Sequence, residues 1–315
     1  MGLVDRLPAE LEAFFCSNAE LLPVEKLGLA ELPSMLSRYS LVELNTAVKP
    51  FYIEYLYQRD AKVKNVIYFD PDILVFGSLA AIESQLESSS IILTPHSCTY
   101  DDSKPNLRSE LAMISTGTFN LGFIATSRKP AAERFLAWWK LRMRDYCYYK
   151  PGYGLFVDQL WVNLAPLYFD GVKIEKHPGW NFSYWNLFER TLSGEPGRYR
   201  VNGNQDLLFY HFSSYNPLAP EFICKRAPVM PMAEHPELKN LFEEYRNLLM
   251  ANGFMRVKDL KWAFVPGTPA QSTGIKIKRS VQAGLRGALA LLPGFIRVRL
   301  GRFARFVDDH SQPAA

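Results

Sequence analysis

Two aspartates interrupt an otherwise apolar stretch of the chain. The run from Val66 to Phe69 leads into Asp70, Pro71 and Asp72, and a second apolar run follows at once. The first run is typical of a strand buried on both faces of a parallel sheet. Because burying two carboxylates within a strand is costly, we expect both at its C-terminal end, where open α/β sheets bind ligands. Paired carboxylates suit a hard divalent cation that also holds phosphates, and the alternative is an Asx turn.

Alternating helical and strand patterns surround this pair. The sequence predicts strands over 66–69, 90–94, 119–125 and 206–212, and helices over 41–57, 79–87, 130–146 and 157–164, with a fresh helical segment from Pro50. This order favours one mixed α/β sheet. Polar residues mark the strand ends: His96 should face the same cleft as the aspartates, and Asn120 and Gly122 interrupt a strand where something approaches the backbone.

Four short motifs follow one another along the chain: Asp70-Pro71-Asp72, Phe119-Asn120-Leu121-Gly122, Asp158-Gln159, and the segment from His211 to Pro217. In this order they resemble motifs of GT-A fold glycosyltransferases, which use nucleotide sugars, and of their retaining, family-8-like branch. The stretches 43–50 and 185–186 are also similar to bacterial glycosyltransferases of surface-polysaccharide gene clusters. The resemblance covers roughly residues 1–220. It implies a Rossmann-like, mostly parallel sheet flanked by helices.

The resemblance implies a metal site and a donor site. Asp70, Asp72 and His211 would hold the metal, and an imidazole beside two carboxylates suits Mn²⁺ somewhat better than Mg²⁺. The bound ion would stabilise the charge of the departing nucleoside diphosphate, UDP for example. The alternative for His211 is a histidine that caps a strand end.

The donor site would comprise residues that approach the sugar and the phosphates: Thr46, Lys49, His96, Asn120 and Gly122. The Asn120 amide would bond a sugar hydroxyl, although a simple strand kink is the alternative. The closing motif has no lysine before Pro217, so Lys49 is our candidate for neutralising a phosphate. The same motif has Ser214 where the family has glycine.

Asp158 and Gln159 would be the catalytic pair on the other face of the sugar. Glutamine is a poor nucleophile, so we favour front-face internal return, with Asp158 binding a substrate hydroxyl. The alternative is a helix N-cap at Asp158. A platform for the acceptor would consist of four residues, with core packing as the alternative for each aromatic ring: Trp180, Tyr184, Trp185 and Asn186.

The ends of the chain depart from the family pattern. The resemblance leads us to expect that the chain starts near the second strand of the GT-A fold, with the first strand truncated or the base pocket built differently. We expect one GT-A domain over 1–265 and a linker with a basic tail over 266–315. Residues 275–306 alternate apolar and basic side chains, which favours an amphipathic segment on an anionic membrane surface over a solvated tail.

The composition bears on location and partners. Eight of the 36 Lys and Arg residues but only two of the 32 acids follow residue 274, so the rest of the chain is slightly acidic. No motif that reads nucleic acid accompanies the basic tail, and we expect no nucleic-acid partner. Four scattered cysteines and the absence of a signal peptide or an apolar span predict a cytoplasmic protein. The basic tail would place it peripherally on the inner face of the plasma membrane.

The sequence therefore predicts a metal-dependent hexosyltransferase that moves a sugar from a nucleotide-diphosphate donor to a glycan or lipid-linked acceptor. Two alternatives stay open. A haloacid-dehalogenase-like phosphohydrolase also has an Asp-x-Asp motif after a buried strand, but Leu74 stands where that family usually has Thr or Val. A truncated, non-catalytic sugar-binding relative is the other.

Overall fold

The computed structural model describes residues 1–4, 7–16, 19–100, 104–225 and 229–260. Two compact units divide them, one over residues 3–44 and one from residue 45 onward. The boundary falls inside the range predicted as a single domain, and every candidate site residue belongs to the second unit. The predicted basic tail, 266–315, and its membrane segment, 275–306, lie outside the described residues. Within the described part, no helix is long and apolar enough to cross a membrane.

Short and medium helices alternate with short strands along the described chain. The helices are α1 (Ala9–Cys16), α2 (Leu32–Arg38), α3 (Leu41–Ala47), α4 (Lys49–Arg59), α5 (Ala80–Ser88), α6 (Lys104–Thr116), α7 (Pro130–Tyr146), α8 (Gln159–Val162), α9 (Ala165–Tyr168), α10 (Lys239–Ala251) and α11 (Phe254–Val257). The strands are β1 (Gly2–Leu3), β2 (Leu22–Pro23), β3 (Asn65–Phe69), β4 (Ile73–Val75), β5 (Ile91–Pro95), β6 (Phe119–Ser127), β7 (Tyr149–Lys150), β8 (Leu155–Phe156), β9 (Val172–Ile174), β10 (Leu192–Glu195), β11 (Arg198–Val201), β12 (Gln205–Asp206), β13 (Phe209–His211), β14 (Phe222–Cys224) and β15 (Met230–Pro231).

In the described part of the chain, the central sheet has four strands in the order β3-β6-β5-β9. Strand β6 runs antiparallel to both of its neighbours, and only the β5–β9 pair is parallel. The predicted mixed α/β sheet is confirmed. The prediction that the sheet is mostly parallel was wrong, because β6 lies between two strands that run in the opposite direction.

Burial is concentrated in the middle of this sheet. All residues of β5 and β6 are buried. Strand β3 lies at the edge of the sheet in the described part of the chain, and only Val66 of its five residues is buried. The prediction that this apolar run is buried on both faces was therefore wrong: an edge strand needs apolar side chains only where it meets the core.

The helix break predicted at Pro50 is confirmed. Helix α3 ends at Ala47, and α4 begins at Lys49 with Pro50 in its first turn, where a missing backbone N–H costs nothing. The first turn of α4 is buried, so Lys49 is directed into the protein rather than toward solvent.

Helix α7 has the predicted bounds and buries one apolar face, including Phe135 and Trp139.

Strand β13 is fixed from both sides, which follows from the two-residue period of a strand. Phe209 packs on Phe123 of β6 with ring centroids 5.1 Å apart. Tyr210 points the other way, onto Phe242 of α10 at 5.5 Å. The next side chain, His211, therefore returns to the side of the strand that faces β6.

Candidate metal centre

A turn after β3 carries the two aspartates. The Asp70 amide donates to the carbonyl of Gly122 at 2.7 Å, which ties the turn to β6. The Ile73 amide donates to the carbonyl of Asp70 at 3.1 Å and closes the turn into β4. Pro71 lies within the turn, where its missing N–H breaks no ladder. Both carboxylates thus follow the strand, as the sequence predicts.

His211 reaches the turn through a strand pair. Strands β4 and β13 are antiparallel, with His211 opposite Ile73, and the Phe212 amide donates to the Asp72 carbonyl at 2.8 Å. This register brings His211 Nε2 to 3.1 Å from Asp72 Oδ1. One ligand atom from each of Asp70, Asp72 and His211 lies within 4.8 Å of the others. Two residues close in sequence and one distant residue therefore form a group that could hold a metal ion.

The cluster opens to solvent through its carboxylates. The Asp72 side chain is 39% exposed and that of His211 is 5% exposed, while that of Asp70 is 27% exposed. Burial tends to raise the pKa of Asp72, but the hydrogen bond and charge of His211 outweigh it and lower the pKa. Asp72 is therefore ionised at neutral pH, which a metal ligand requires.

Lys49 lies beneath the cluster. Its Nζ is 3.0 Å from Asp158 Oδ2 and 3.3 Å from Asp70 Oδ1, and it donates to the Leu121 carbonyl at 2.9 Å. Burial acts to lower the pKa of Lys49, but the two carboxylates outweigh it and raise the pKa well above its ordinary value. Three acceptors match the three ammonium protons. Lys49 is thus engaged inside the protein, which does not fit the predicted contact with a phosphate.

Asp158 is 2% exposed. It occupies the N-cap position of α8, but its side chain makes no capping hydrogen bond there and pairs with Lys49 instead. Burial raises the pKa of Asp158, and Lys49 opposes that rise. Val157, just before it, has a φ of 40°, which is strained for a β-branched residue. The neighbouring Gln159 donates to the Thr116 carbonyl at 2.9 Å.

Asn120 and Gly122 face His211. The Asn120 Oδ1 atom is 3.1 Å from His211 Nδ1, and Asn120 Nδ2 is 3.3 Å from His96 Nε2. A Cβ atom on Gly122 would lie 2.4 Å from His211 Cε1. The imidazole therefore lies directly against Gly122, and the predicted contact of these two residues with a donor sugar stays a prediction. Burial, assisted by the nearby His211, lowers the pKa of His96 to about 4 against the opposing Thr118 carbonyl.

The predicted acceptor residues separate into two groups. Trp180 is 4% exposed and packs in the core against Phe123 and Phe209. Asn186 is fully buried and donates to the carbonyls of His96 and Asn181. These contacts leave neither residue a free face for a sugar.

Trp185 borders the metal cluster instead. Trp185 lies edge-on to His211 and to His96, at 5.2 and 5.3 Å between ring centroids, and Tyr184 packs beside it.

Thr46, one of the predicted donor residues, has its hydroxyl 3.2 Å from Cys147 Sγ, a contact between α3 and the end of α7.

Sequence reasoning missed two residues of the site. The Tyr68 hydroxyl donates to Asp70 Oδ1 at 2.5 Å, and its ring lies under the Lys49 ammonium at 4.9 Å. The Ser183 hydroxyl donates to the His211 carbonyl at 2.6 Å. Tyr68 had a usable signal, because residues two apart in a strand share a face and it precedes Asp70 by two. Ser183 had none, since its contact depends on tertiary packing.

Ser214 occupies a glycine position of the closing motif, and its φ of 64° explains that preference. We expect Ser214→Gly to raise the free energy of unfolding by about 0.5–1 kcal/mol, since the left-handed conformation no longer strains a side chain. Urea unfolding measures this. Ser213→Gly is the control, because Ser213 lies outside the left-handed region. Equal effects of the two changes would contradict the strain at residue 214.

Comparisons with known proteins find relatives of part of the chain. No protein-family model matches. The chain is 27% identical over 170 residues to the uncharacterized protein YfnF of Bacillus subtilis, covering 53% of this chain and 55% of the relative. It is 25% identical over 173 residues to the uncharacterized protein YfnD of the same organism, covering 53% and 52%. The chain thus spans about half the length of the curated relatives it matches.

A solved structure is weakly similar in fold. It is a glycosyltransferase involved in the glycosylation of the major capsid of PBCV-1, and the match covers 68% of this chain and 93% of that one. The TM-score is 0.37 and the sequence identity is 10%. At this level of similarity, the residues of the site have to carry any functional interpretation.

Proposed function

We propose that the chain is a metal-dependent glycosyltransferase that moves a sugar from a nucleotide-diphosphate donor to a glycan or lipid-linked acceptor in surface-polysaccharide biosynthesis. One observation carries the proposal: Asp70, Asp72 and His211 converge within 4.8 Å at the end of β3. The order of the motifs supports it, because the three residues occupy the metal positions of the GT-A motifs they resemble.

Asp70, Asp72 and His211 would hold Mn²⁺, or Mg²⁺, at this site. When bound, such an ion acts as a Lewis acid that stabilises the negative charge developing on a leaving diphosphate. The protein contributes the orientation of the ligands. Asp72 is held ionised by His211, and Asp70 is fixed by the Tyr68 hydroxyl and the Lys49 ammonium.

Asp158 acts through Lys49 in this proposal. A carboxylate that is 2% exposed and paired with a buried lysine is poorly placed to attack a sugar carbon. This supports retention by front-face internal return, in which no protein nucleophile bonds to the sugar. We therefore assign Asp158 to positioning Asp70, and Gln159 to fixing the chain at the start of α8.

Replacing a metal ligand tests the proposal by activity. We expect Asp72→Asn to lower Mn²⁺-dependent transfer or hydrolysis of a nucleotide sugar by at least about 100-fold, because charge stabilisation of the leaving group is lost. Asp206→Asn is the matched control, since that carboxylate is a solvent-exposed partner of Arg200. Full activity of Asp72→Asn in metal-stripped buffer would overturn the metal-dependent mechanism.

Ligand binding separates the proposal from its alternatives. We expect UDP to raise the melting temperature only when Mn²⁺ is present, and Asp72→Asn to abolish that rise. Hydrolysis of a generic phosphate ester without UDP binding would favour the phosphohydrolase. A rise that persists in Asp72→Asn without turnover would favour a non-catalytic sugar-binding protein.

We also propose that the enzyme is cytoplasmic and peripheral on an anionic membrane, through residues 275–306. Six arginines and two lysines lie among apolar residues there, and each basic side chain near an anionic surface contributes about 1 kcal/mol. Replacing Arg297, Arg299, Arg302 and Arg305 by glutamine should lower binding to anionic vesicles at least about tenfold at low salt. Sedimentation with anionic and with neutral vesicles measures this, and unchanged sedimentation would contradict the proposal.

A further inference from the structure

The ring nitrogens of His211 face two different acceptors. Nδ1 lies 3.1 Å from Asn120 Oδ1, and Nε2 lies 3.1 Å from Asp72 Oδ1. An imidazole that coordinates a cation is neutral and carries one proton, so one nitrogen keeps that proton and the other gives its lone pair to the ion. Which nitrogen coordinates a cation depends on which one carries the proton.

The orientation of the Asn120 amide answers this question. The Gly122 backbone amide lies 3.1 Å from Asn120 Oδ1, and a backbone N–H can only donate. The atom at that position is therefore the carbonyl oxygen. Asn181 Nδ2, also an obligate donor, approaches the same oxygen at 3.2 Å. A carbonyl oxygen can only accept a hydrogen bond. Its contact with His211 Nδ1 therefore requires that Nδ1 donates and carries the proton.

The other end of the amide agrees with this assignment. Asn120 Nδ2 can only donate, so His96 Nε2 accepts, and the proton of His96 is then on Nδ1. His96 Nδ1 lies 3.1 Å from the Thr118 carbonyl, which can only accept. A flipped Asn120 would place an NH₂ group against the Gly122 amide and an oxygen against His96. Every described partner thus fixes the same direction of the amide.

We propose that Asn120 is the positioning residue of the metal centre: its side-chain oxygen holds the proton on Nδ1 of His211, so that Nε2, the nitrogen beside Asp72, is the one that coordinates a shared cation. This rests on the proposed metal-dependent function. It assigns to Asn120 a role on the protein side of the imidazole, in place of the predicted contact with a sugar hydroxyl. Partners that orient a metal-ligating histidine in this way are worth about 10–100-fold in metal affinity.

Two variants separate the carbonyl oxygen from the rest of the side chain. Asn120→Leu keeps the approximate shape but removes the acceptor, and we expect it to weaken Mn²⁺ binding about 10–100-fold. Asn120→Asp keeps an acceptor for Nδ1, and its affinity should be no weaker than the wild type by more than about threefold. Thr94→Val is the matched control, because Thr94 bonds Asn181 in the same network without touching His211. Titration with Mn²⁺ alone, followed by the EPR signal of the free ion, measures all four proteins.

A spectroscopic measurement on the wild type does not depend on whether a variant folds. In ¹⁵N-histidine-labelled wild type loaded with ¹¹³Cd²⁺, we expect a cadmium coupling to Nε2 of His211 and a proton on Nδ1. Coupling to Nδ1 overturns the proposal, as does an Asn120→Leu protein that is folded and binds Mn²⁺ like the wild type, or an Asn120→Asp protein that loses as much affinity as Asn120→Leu. If Asn120→Leu does not fold, the Asp variant and the cadmium spectrum decide. A wild type that binds no Mn²⁺ overturns the proposed function as well, whereas unchanged binding in Asn120→Leu overturns this inference alone.

Discussion

Replacing Lys49 by methionine is expected to lower the free energy of unfolding by about 3–5 kcal/mol, because two carboxylates then face each other without the buried cation between them. The Lys49 side chain is 4% exposed and that of Asp158 is 3% exposed, so solvent screens the pair weakly. Urea unfolding monitored by circular dichroism measures the change. A loss of this size would make Lys49 one of the most important single side chains for the stability of the site.

Two further variants test the cause of that loss. Lys49→Met combined with Asp158→Leu should recover much of the stability, because replacing a whole buried pair costs far less than breaking it. Lys140→Met is the matched control. It removes a lysine from the more exposed pair with Glu54 and should cost at most about 1 kcal/mol. Equal losses in Lys49→Met and Lys140→Met would contradict the buried-cation account.

The pH dependence of Lys49→Met has a definite sign. Burial already raises the pKa of Asp158 above its ordinary value of 3.8, and removing Lys49 removes the opposing effect. A carboxyl whose folded pKa is raised destabilises the folded state above that pKa and has no effect below its unfolded pKa. The destabilisation by Lys49→Met should therefore shrink as the pH falls from 8 toward 4. Growth of the difference in acid would contradict this assignment.

Gly122→Ala is expected to weaken Mn²⁺ binding about 10–100-fold, the range seen when a metal-ligating histidine loses the groups that orient it. The added Cβ would lie 2.4 Å from His211 Cε1 and 2.7 Å from Nδ1, so the imidazole must move. The backbone of β6 cannot yield easily, because every residue of that strand is buried. We therefore expect the metal affinity to fall more steeply than the stability.

The control for Gly122→Ala is Gly152→Ala. A Cβ on Gly152 meets nothing within 4 Å, so the same substitution there adds a methyl group without a clash. Mn²⁺ titration and thermal unfolding are measured on both. Wild-type Mn²⁺ affinity in a folded Gly122→Ala protein would mean that His211 is not held against β6 as the structure describes.

The sequence predicted those parts of the fold that depend on local chemistry. Helix α7, the break at Pro50 and the position of both aspartates after an apolar strand follow from periodicity, proline geometry and the cost of burying charge. Strand direction did not follow. An apolar run is the same in an edge strand as in a central one, so the pattern of β3 could not reveal that its neighbour runs antiparallel.

The candidate site likewise has a part that the sequence predicted and a part that it could not predict. The convergence of Asp70, Asp72 and His211 was expected from motif order, and the register of β4 and β13 provides it. The protein contacts of Lys49 and Asn120 were not accessible to sequence reasoning. Both are polar residues whose partners are set by tertiary packing, and a residue type does not reveal whether its polar atoms face a ligand or another part of the protein.

The most direct test of the central claim is anomalous diffraction at the manganese edge from crystals grown with Mn²⁺ and UDP. The account predicts one strong peak at coordination distance from a carboxylate oxygen of Asp70, a carboxylate oxygen of Asp72 and Nε2 of His211, with the diphosphate on its open side. A manganese peak bound elsewhere, or a diphosphate bound at this turn without a metal between it and the three side chains, would contradict it.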